Sequence, residues 1–419
     1  MSNRTKKNDY DTVVIGGGPA GLAGGVKAEE FGLKTLILEN GDRIGGIPIQ
    51  CIHPGFGNFY YEEDLTGPEF SNRLIEKVES LDLEYRTNAH VSEITNVSDL
   101  RKEIKVFTPE NASRITTSTI IYATGARERH LFETGICGDR VSGIYTAGET
   151  QTLMDIQGVM PGKEVVIVGS GDIGLIMARR FALEGADVKG VMEMLPYPTG
   201  LTRNVSQCLR DLDIPLHTGR AVKKVRGEGR VEEVITVKVN EDLQEIPGTQ
   251  KSVECDTVVL ATGLIPYTKK LERIDVEMDP MTKGPVVNEF LETNISGVFA
   301  AGNVLAINDY VDYAAEQGEL AAEGAKIFVE NETIPSREWV PIKKGRNVRF
   351  VVPHYLSGER NVSIYSRAKK PEIRVKINFP EIGREIKKPS VRPGDMIKIE
   401  LGAEDLASLS DGLTMEVIR

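Results

Sequence analysis

Side chains able to make or break covalent bonds are few and widely separated in this sequence. The four cysteines, Cys51, Cys137, Cys208 and Cys255, lie 86, 71 and 47 residues apart. That spacing fits neither a disulfide framework nor paired zinc or iron–sulfur ligands. A thiolate relay needs two neighbouring sulfurs, and no Cys-x-x-Cys occurs. If electrons pass through this chain, an organic cofactor must carry them. Cys51 and His53 share the segment GIPIQCIHPGFG at 46–57. They are candidates for a redox or proton-transfer role, against a plainer role in packing and loop shape. Two acids, Glu39 and Glu193, say more, because each closes a short apolar run that follows a glycine-rich turn.

The elements that must position those acids can be read from the residues around them. Residues 10–15 form a β-branched run of the kind found in buried parallel strands. GGGPAG follows at 16–21, then an Ala-rich helical segment to about residue 31 that Pro19 and Ala20 open. A second apolar run at 35–38 ends at Glu39, 18 residues after Gly21. In such a unit Gly16 permits the sharp turn, Gly18 lets the main chain approach a pyrophosphate, and Gly21 lets helix and strand pack closely. The helix N-terminus attracts the phosphate charge, and Glu39 accepts from a ribose hydroxyl. The same unit recurs: an apolar strand at 164–168, GSGDIG at 169–174 (Gly169, Gly171, Asp172, Ile173, Gly174), a helix to 184, and a strand at 187–192 closed by Glu193, 19 residues beyond Gly174. Two dinucleotides are therefore expected on one chain. Glu193 would repel a 2′-phosphate and no arginine immediately follows it, so NAD is expected there rather than NADP.

Three further strand ends are built from small residues. IIYATG at 120–125 and VVLATG at 258–263 each end in Ala-Thr-Gly, where backbone can pass close to a cofactor. GVFAAGN at 297–303 precedes a helical segment at about 312–328. The ordered set, with the Arg43-Ile-Gly45-Gly46 segment, resembles the two-dinucleotide-binding-domain flavoproteins, the relatives of glutathione and thioredoxin reductases. The likeness covers about residues 8–330. It implies an α/β fold with two Rossmann-like domains, one inserted in the other, and FAD in the first unit with NAD(H) in the second. On this likeness FAD meets Asn40, Arg43, Gly45, Gly46, Gln50, Val91, Ala123, Thr124, Gly125, Gly302, Asn303 and Gln317, besides the first glycine turn and Glu39, and Gly263 lies at the NAD site. His90 and Val91 would stand by the adenine. The family usually has aspartate where this chain has Asn303; asparagine can still hydrogen-bond a ribityl hydroxyl. Neither dithiol arrangement of the family is present, so disulfide chemistry is not expected.

The remaining chemistry is hydride transfer between nicotinamide and flavin, with reactivity supplied by the cofactors and orientation by the protein. A net charge of −11 argues against general affinity for nucleic acid or anionic membrane. No stretch is apolar enough to span a bilayer and residues 1–10 carry no secretory pattern, so a cytoplasmic location is expected. From Arg337 to Lys398 there are 16 basic and 6 acidic residues on short alternating runs, which predicts a small antiparallel, β-rich domain with a cationic surface. Expected boundaries are 1–150 and 276–335 for the FAD domain, 151–275 for the NAD domain and 336–419 for the C-terminal domain. The segment at 45–57, residues 145–151 and the basic C-terminus resemble the NADH-linked small flavoprotein subunits found with glycerol-3-phosphate-oxidase-like enzymes, with α subunits of amine, opine and proline dehydrogenases more distant. That implies an NADH dehydrogenase (diaphorase) subunit exchanging electrons with a partner flavoprotein and an iron–sulfur subunit. Two alternatives stay open: a free-standing NADH oxidase, and a flavin-bearing structural subunit with a nucleotide in its second site.

Overall fold

The computed structural model describes residues 9–335, 338–407 and 409–419. It divides into two compact units, one comprising residues up to Ala126 with Pro266–Arg419, the other Arg127–Ile265.

In the first unit, strand Asp9–Ile15 lies between Thr35–Leu38 and Ala112–Tyr122, parallel to both, and Glu84–Arg86 extends the sheet beyond Thr35–Leu38. The far edge of the long strand Ala112–Tyr122 is shared: Arg101–Phe107 pairs antiparallel with its first half, and Val298–Ala300 pairs parallel with its end. Val13, Val14, Leu36, Ile37, Ile120 and Ile121 are fully buried. Such apolar runs are what a parallel sheet covered on its faces requires. Helices Pro19–Glu30 and Val311–Asn331 meet through glycines: a Cβ on Gly318 would stand 2.0 Å from the carbonyl oxygen of Ala20, and one on Gly24 2.9 Å from that of Gly318. Only residues without side chains let the backbones approach so closely.

The C-terminal strands form a five-stranded and a three-stranded sheet around their own apolar core, which includes Val375, Ile377, Phe379, Ile399 and Val417. The pairing is antiparallel except that Val340–Lys344 runs parallel to Leu413–Ile418. Lys398–Glu316, Arg367–Asp309 and Arg360–Glu323 ion pairs join it to the long helix and the turn before it. Part of the cationic surface expected from the sequence is therefore used within the chain.

The second unit holds a five-stranded parallel sheet in the order Ile144–Thr146, Thr257–Leu260, Glu164–Val168, Asp187–Glu193, Leu216–Thr218. A four-stranded sheet, mainly antiparallel, accompanies it. This corrects the expected boundaries of 151 and 275. The unit begins at Arg127 and ends at Ile265, because Ile144–Thr146 is a strand of its sheet, paired with a segment more than a hundred residues away.

Candidate dinucleotide-binding sites

Each unit carries one turn of the same construction. Gly16, at φ +111°, donates its N–H to Leu38 O, and a Cβ there would stand 2.3 Å from Ala123 O. Gly21 backs onto the turn, since a Cβ would meet Gly16 O at 1.8 Å. In the second unit Gly169 (φ +101°) donates to Met192 O and lies against Ala261 O, and Gly174 lies against Gly169 O. These four positions require glycine for reasons internal to the protein. Gly18 and Gly171 do not: their φ values are −83° and −65°, open to any residue, and an added Cβ would find nothing nearer than Gly46 Cα at 3.8 Å and Thr199 Oγ1 at 4.0 Å. Each stands at the N-cap of a twelve-residue helix, Pro19–Glu30 or Asp172–Leu183. The free N–H groups and the dipole of such an end favour phosphate. Space left beside a glycine that the protein does not itself need fits a bound pyrophosphate at both turns.

The two acids are held alike. Glu39 accepts from Gly17 N (2.7 Å) and Gly41 N (2.5 Å). Glu193, 7% exposed, accepts from Ser170 N (3.0 Å), Ser170 Oγ (2.5 Å) and Leu195 N (2.9 Å). In each case one donor comes from the glycine turn and one from two residues beyond the acid, so the carboxylate is fixed over the turn with acceptor capacity left for a ribose diol. Sequence reading found the acids but not their holders, Gly17, Gly41, Ser170 and Leu195; these are backbone donors set by the fold, apart from the Ser170 hydroxyl. Asp172 accepts from Leu201 N (2.8 Å) and Asn204 Nδ2 (2.6 Å), fastening the segment after Glu193 to the start of the helix, where Ile173 is partly buried. Gly263, with φ +100°, has open space where a side chain would stand.

The other expected FAD residues fall into two groups. Gly45 N donates to Gly17 O (2.7 Å), and a Cβ on Gly46 would lie 2.7 Å from Gly18 Cα, so Gly45 and Gly46 pack directly on the first turn with exposed Arg43 beside them. Pro19 and Ala20 open the helix, Ala123 N bonds to Ile15 O, and Thr124 Oγ1 to Tyr267 O (3.1 Å), with Gly125 at φ +66°. His90 donates from Nδ1 to Asn40 Oδ1 (2.9 Å), and buried Val91 follows it in strand His90–Ser98. The second group acts at one remove. Gln317, 1% exposed, accepts from Gly302 N (3.0 Å) and exchanges amide contacts with Asn308, while Asn303 Oδ1 accepts from Asn308 N (3.0 Å). The Gln317 side chain therefore holds Gly302 in place, and the Asn303 oxygen expected to meet a ribityl hydroxyl is engaged by Asn308.

The Cys51–His53 segment closes on itself. Cys51 is buried with its thiol toward Ile47 O (3.5 Å), and its carbonyl accepts from Gly67 N (3.0 Å). His53 Nδ1 donates to Pro54 O (3.0 Å), and Gln50 ends the short helix Ile47–Gln50. Asp312 went unread in the sequence. Fully buried in the first turn of the long helix, it accepts from Gly57 N, Phe59 N and Tyr60 N at 3.2, 2.9 and 2.9 Å, tying down the end of the same segment. None of the four cysteines is joined in a disulfide, and burial pushes the Cys208 and Cys255 thiols up to about 11 and about 12.

The pyridine nucleotide-disulphide oxidoreductase family model matches residues 10–321. The chain belongs to this family. Among its curated relatives, the mitochondrial dihydrolipoyl dehydrogenase of Caenorhabditis elegans is 28% identical over 366 residues, 80% of this chain and 72% of that protein. Of solved structures, T. acidophilum thioredoxin reductase superposes with a TM-score of 0.64 at 24% identity, covering 78% of this chain and all of its own. L-Proline dehydrogenase from P. horikoshii gives 0.54 at 17% identity, covering 78% of this chain and 57% of that one. These likenesses show the fold. The family match ends before the C-terminal strands. The family uses FAD and NAD(P)H, and the two turns fit one dinucleotide each. Bound together, those groups supply hydride exchange between a nicotinamide and a flavin. The residues that would hold them are the helix ends at Gly18 and Gly171 for the pyrophosphates and the fixed carboxylates of Glu39 and Glu193 for the riboses. Among the described residues no group of His, Cys, Asp and Glu forms a metal site, and no helix is long and apolar enough to cross a membrane.

Proposed function

We propose that this chain is an FAD-dependent NADH dehydrogenase subunit that moves hydride between NAD(H) and FAD and exchanges electrons with a partner, a second flavoprotein with an iron–sulfur subunit, in a complex of the glycerol-3-phosphate oxidase or dehydrogenase type. The observation that carries the reading is the pair of acid-anchored turns in a chain with no dithiol. Its cysteines are far apart in sequence and none is joined in a disulfide, and two are buried with raised thiol pKa values. A protein of this family without sulfurs to reduce must pass its electrons elsewhere. Glu193 supports NADH over NADPH, because a fixed carboxylate repels a 2′-phosphate. The exposed cations of the hairpin Glu372–Phe379 and Arg384–Val391, including Arg374, Arg384 and Lys387, supply a surface for an acidic partner.

Two assays test this. The FAD-loaded chain should oxidise NADH with an artificial one-electron acceptor while leaving lipoamide and oxidised thioredoxin untouched, and NADPH should serve at least tenfold less well. The native protein should co-elute on size exclusion with a second flavin-bearing polypeptide. Turnover of a disulfide substrate, or a native protein that elutes alone, would contradict the proposal.

A further inference from the structure

We infer that the edge strand Arg384–Val391 takes up an extended acidic segment of the partner polypeptide as an added strand. The existence of that partner rests on the function proposed above; its mode of docking is read from this strand.

Arg384–Val391 ends the five-stranded sheet. Glu372–Phe379 pairs with it on one side, from Glu372 opposite Val391 to Phe379 opposite Arg384, and among the described residues no strand lies on the other. All of its residues but Val391 are exposed or partly exposed. Such an edge offers a row of N–H and C=O groups to another chain. Pro389 shows which ones. A proline leaves a ladder intact where its nitrogen faces away from the neighbouring strand. Alternation then turns the N–H groups of Glu385 and Lys387 outward as well. The stretch open to pairing is therefore 384–388, closed at one end by Pro389.

Charge selects the occupant. On this hairpin Glu385 is paired with Lys376 (2.7 Å) and Glu372 with Arg346 (2.8 Å), which leaves Arg374, Arg384, Lys387 and Lys388 without an acid among the described residues. Residues 1–8, 336, 337 and 408 contain no aspartate or glutamate, so the rest of the chain has no carboxylate side chain to give them. Lys387 stands directly opposite Lys376, a like-charge pair of which Glu385 answers only one member. A second copy of the strand would bring these cations against their own kind, so self-association along this edge is opposed. The same cations favour a strand that carries carboxylates. Ile373, 73% exposed and opposite Ser390, adds an uncovered apolar side chain, a contact that suits a polypeptide rather than a polynucleotide.

The test is fluorescence anisotropy at low salt, with the FAD-loaded, full-length protein titrated into a short labelled peptide in which glutamate alternates with valine and threonine. Beside it stand the same peptide with lysine for glutamate, a peptide alternating glutamate with proline, and a single-stranded oligonucleotide of equal charge. The first peptide should saturate at a midpoint at least tenfold below each of the others, and should slow amide exchange at 384–388. Lys387→Glu, at an exposed position, should raise that midpoint at least fivefold. Glu385→Pro separates strand addition from simple attraction, because it removes an outward N–H while freeing Lys376 and making the hairpin more positive. Strand addition predicts binding at least tenfold weaker in that variant; attraction alone predicts tighter binding. No saturable binding of the first peptide, equal binding of the proline peptide or the oligonucleotide, or binding that Glu385→Pro leaves unchanged or tightens would overturn the inference. No NADH, turnover or native partner enters the titration, so its failure strikes the docking mode alone, whereas a native protein that elutes alone strikes the proposed function.

Discussion

Gly18 and Gly171 carry more information about function than the charged side chains around them. Alanine at Gly16 would clash with Ala123 and force a positive φ on a residue with a side chain, so its effect would be on folding. Alanine at Gly18 or Gly171 meets no protein atom closer than 3.8 Å. Gly18→Ala should leave the stability of the FAD-free chain within about 0.5 kcal/mol of wild type yet weaken FAD binding at least tenfold, as equilibrium dialysis would show. Gly171→Ala combined with Glu193→Ala should raise the KM for NADH at least tenfold with FAD retained; release of FAD by that pair would mean the two sites are merged or reversed. Lys102 gives a prediction of another kind. Burial lowers its pKa to about 8 from 10.5. Between those values the unfolded chain holds the extra proton, so the burial cost, full below about pH 8, is relieved as pH rises toward 10.5 and stability increases. Cys208 and Cys255, with raised values, act in the opposite direction. The stability difference between wild type and Lys102→Met, followed by urea unfolding from pH 7.5 to 10.5, should therefore shift in favour of wild type as pH rises.

The long helix Val311–Asn331 does two jobs, and only one could be read from its sequence. Its glycine contact with helix Pro19–Glu30 packs two helices of the first unit together, while Asp312 in its first turn anchors residues 57–60. Asp312→Ala would leave three N–H groups without that acceptor. Hydrogen bonds to a charged group contribute about 1.5–3 kcal/mol each, so the loss of three should lower stability by about 4.5 kcal/mol or more in urea unfolding; Asp312→Asn, which keeps one acceptor oxygen, should lose less. An aspartate at a helix start reads as a routine favourable charge, and its partners lie 252 to 255 residues away, a separation no local pattern reveals. The strand-turn-helix-strand units were legible because every signal in them is local: strand 35–38 matches its expected bounds, and the second helix, Asp172–Leu183, ends within one residue of expectation. In the C-terminal domain the short alternating runs expected from the sequence include strands Val348–Val352 and Ile397–Leu401. Arg384–Val391 was missed because it is a mostly exposed edge strand with little alternation. Leu413–Ile418 does alternate, with Leu413, Met415 and Val417 buried, and was readable but unread.

Taken whole, the chain places two repeats of one nucleotide-binding device in separate compact units and adds a β domain with its own core. The expected charge asymmetry divides in the structure. Arg360, Arg367 and Lys398 face acids of the same chain, while the hairpin cations at 374, 384 and 387 are turned to solvent. The outer group is the one available to a partner. Where the second unit begins escaped sequence reading, because strand Ile144–Thr146 is only three residues long and is recognisable by its sheet partner alone. The claim on which the functional account stands is that both devices are occupied and work as a redox pair. Anaerobic addition of NADH to the FAD-loaded chain, followed by flavin absorbance near 450 nm, tests it most directly. The account predicts complete bleaching with about one NADH per FAD; flavin that stays oxidised under excess NADH would contradict it.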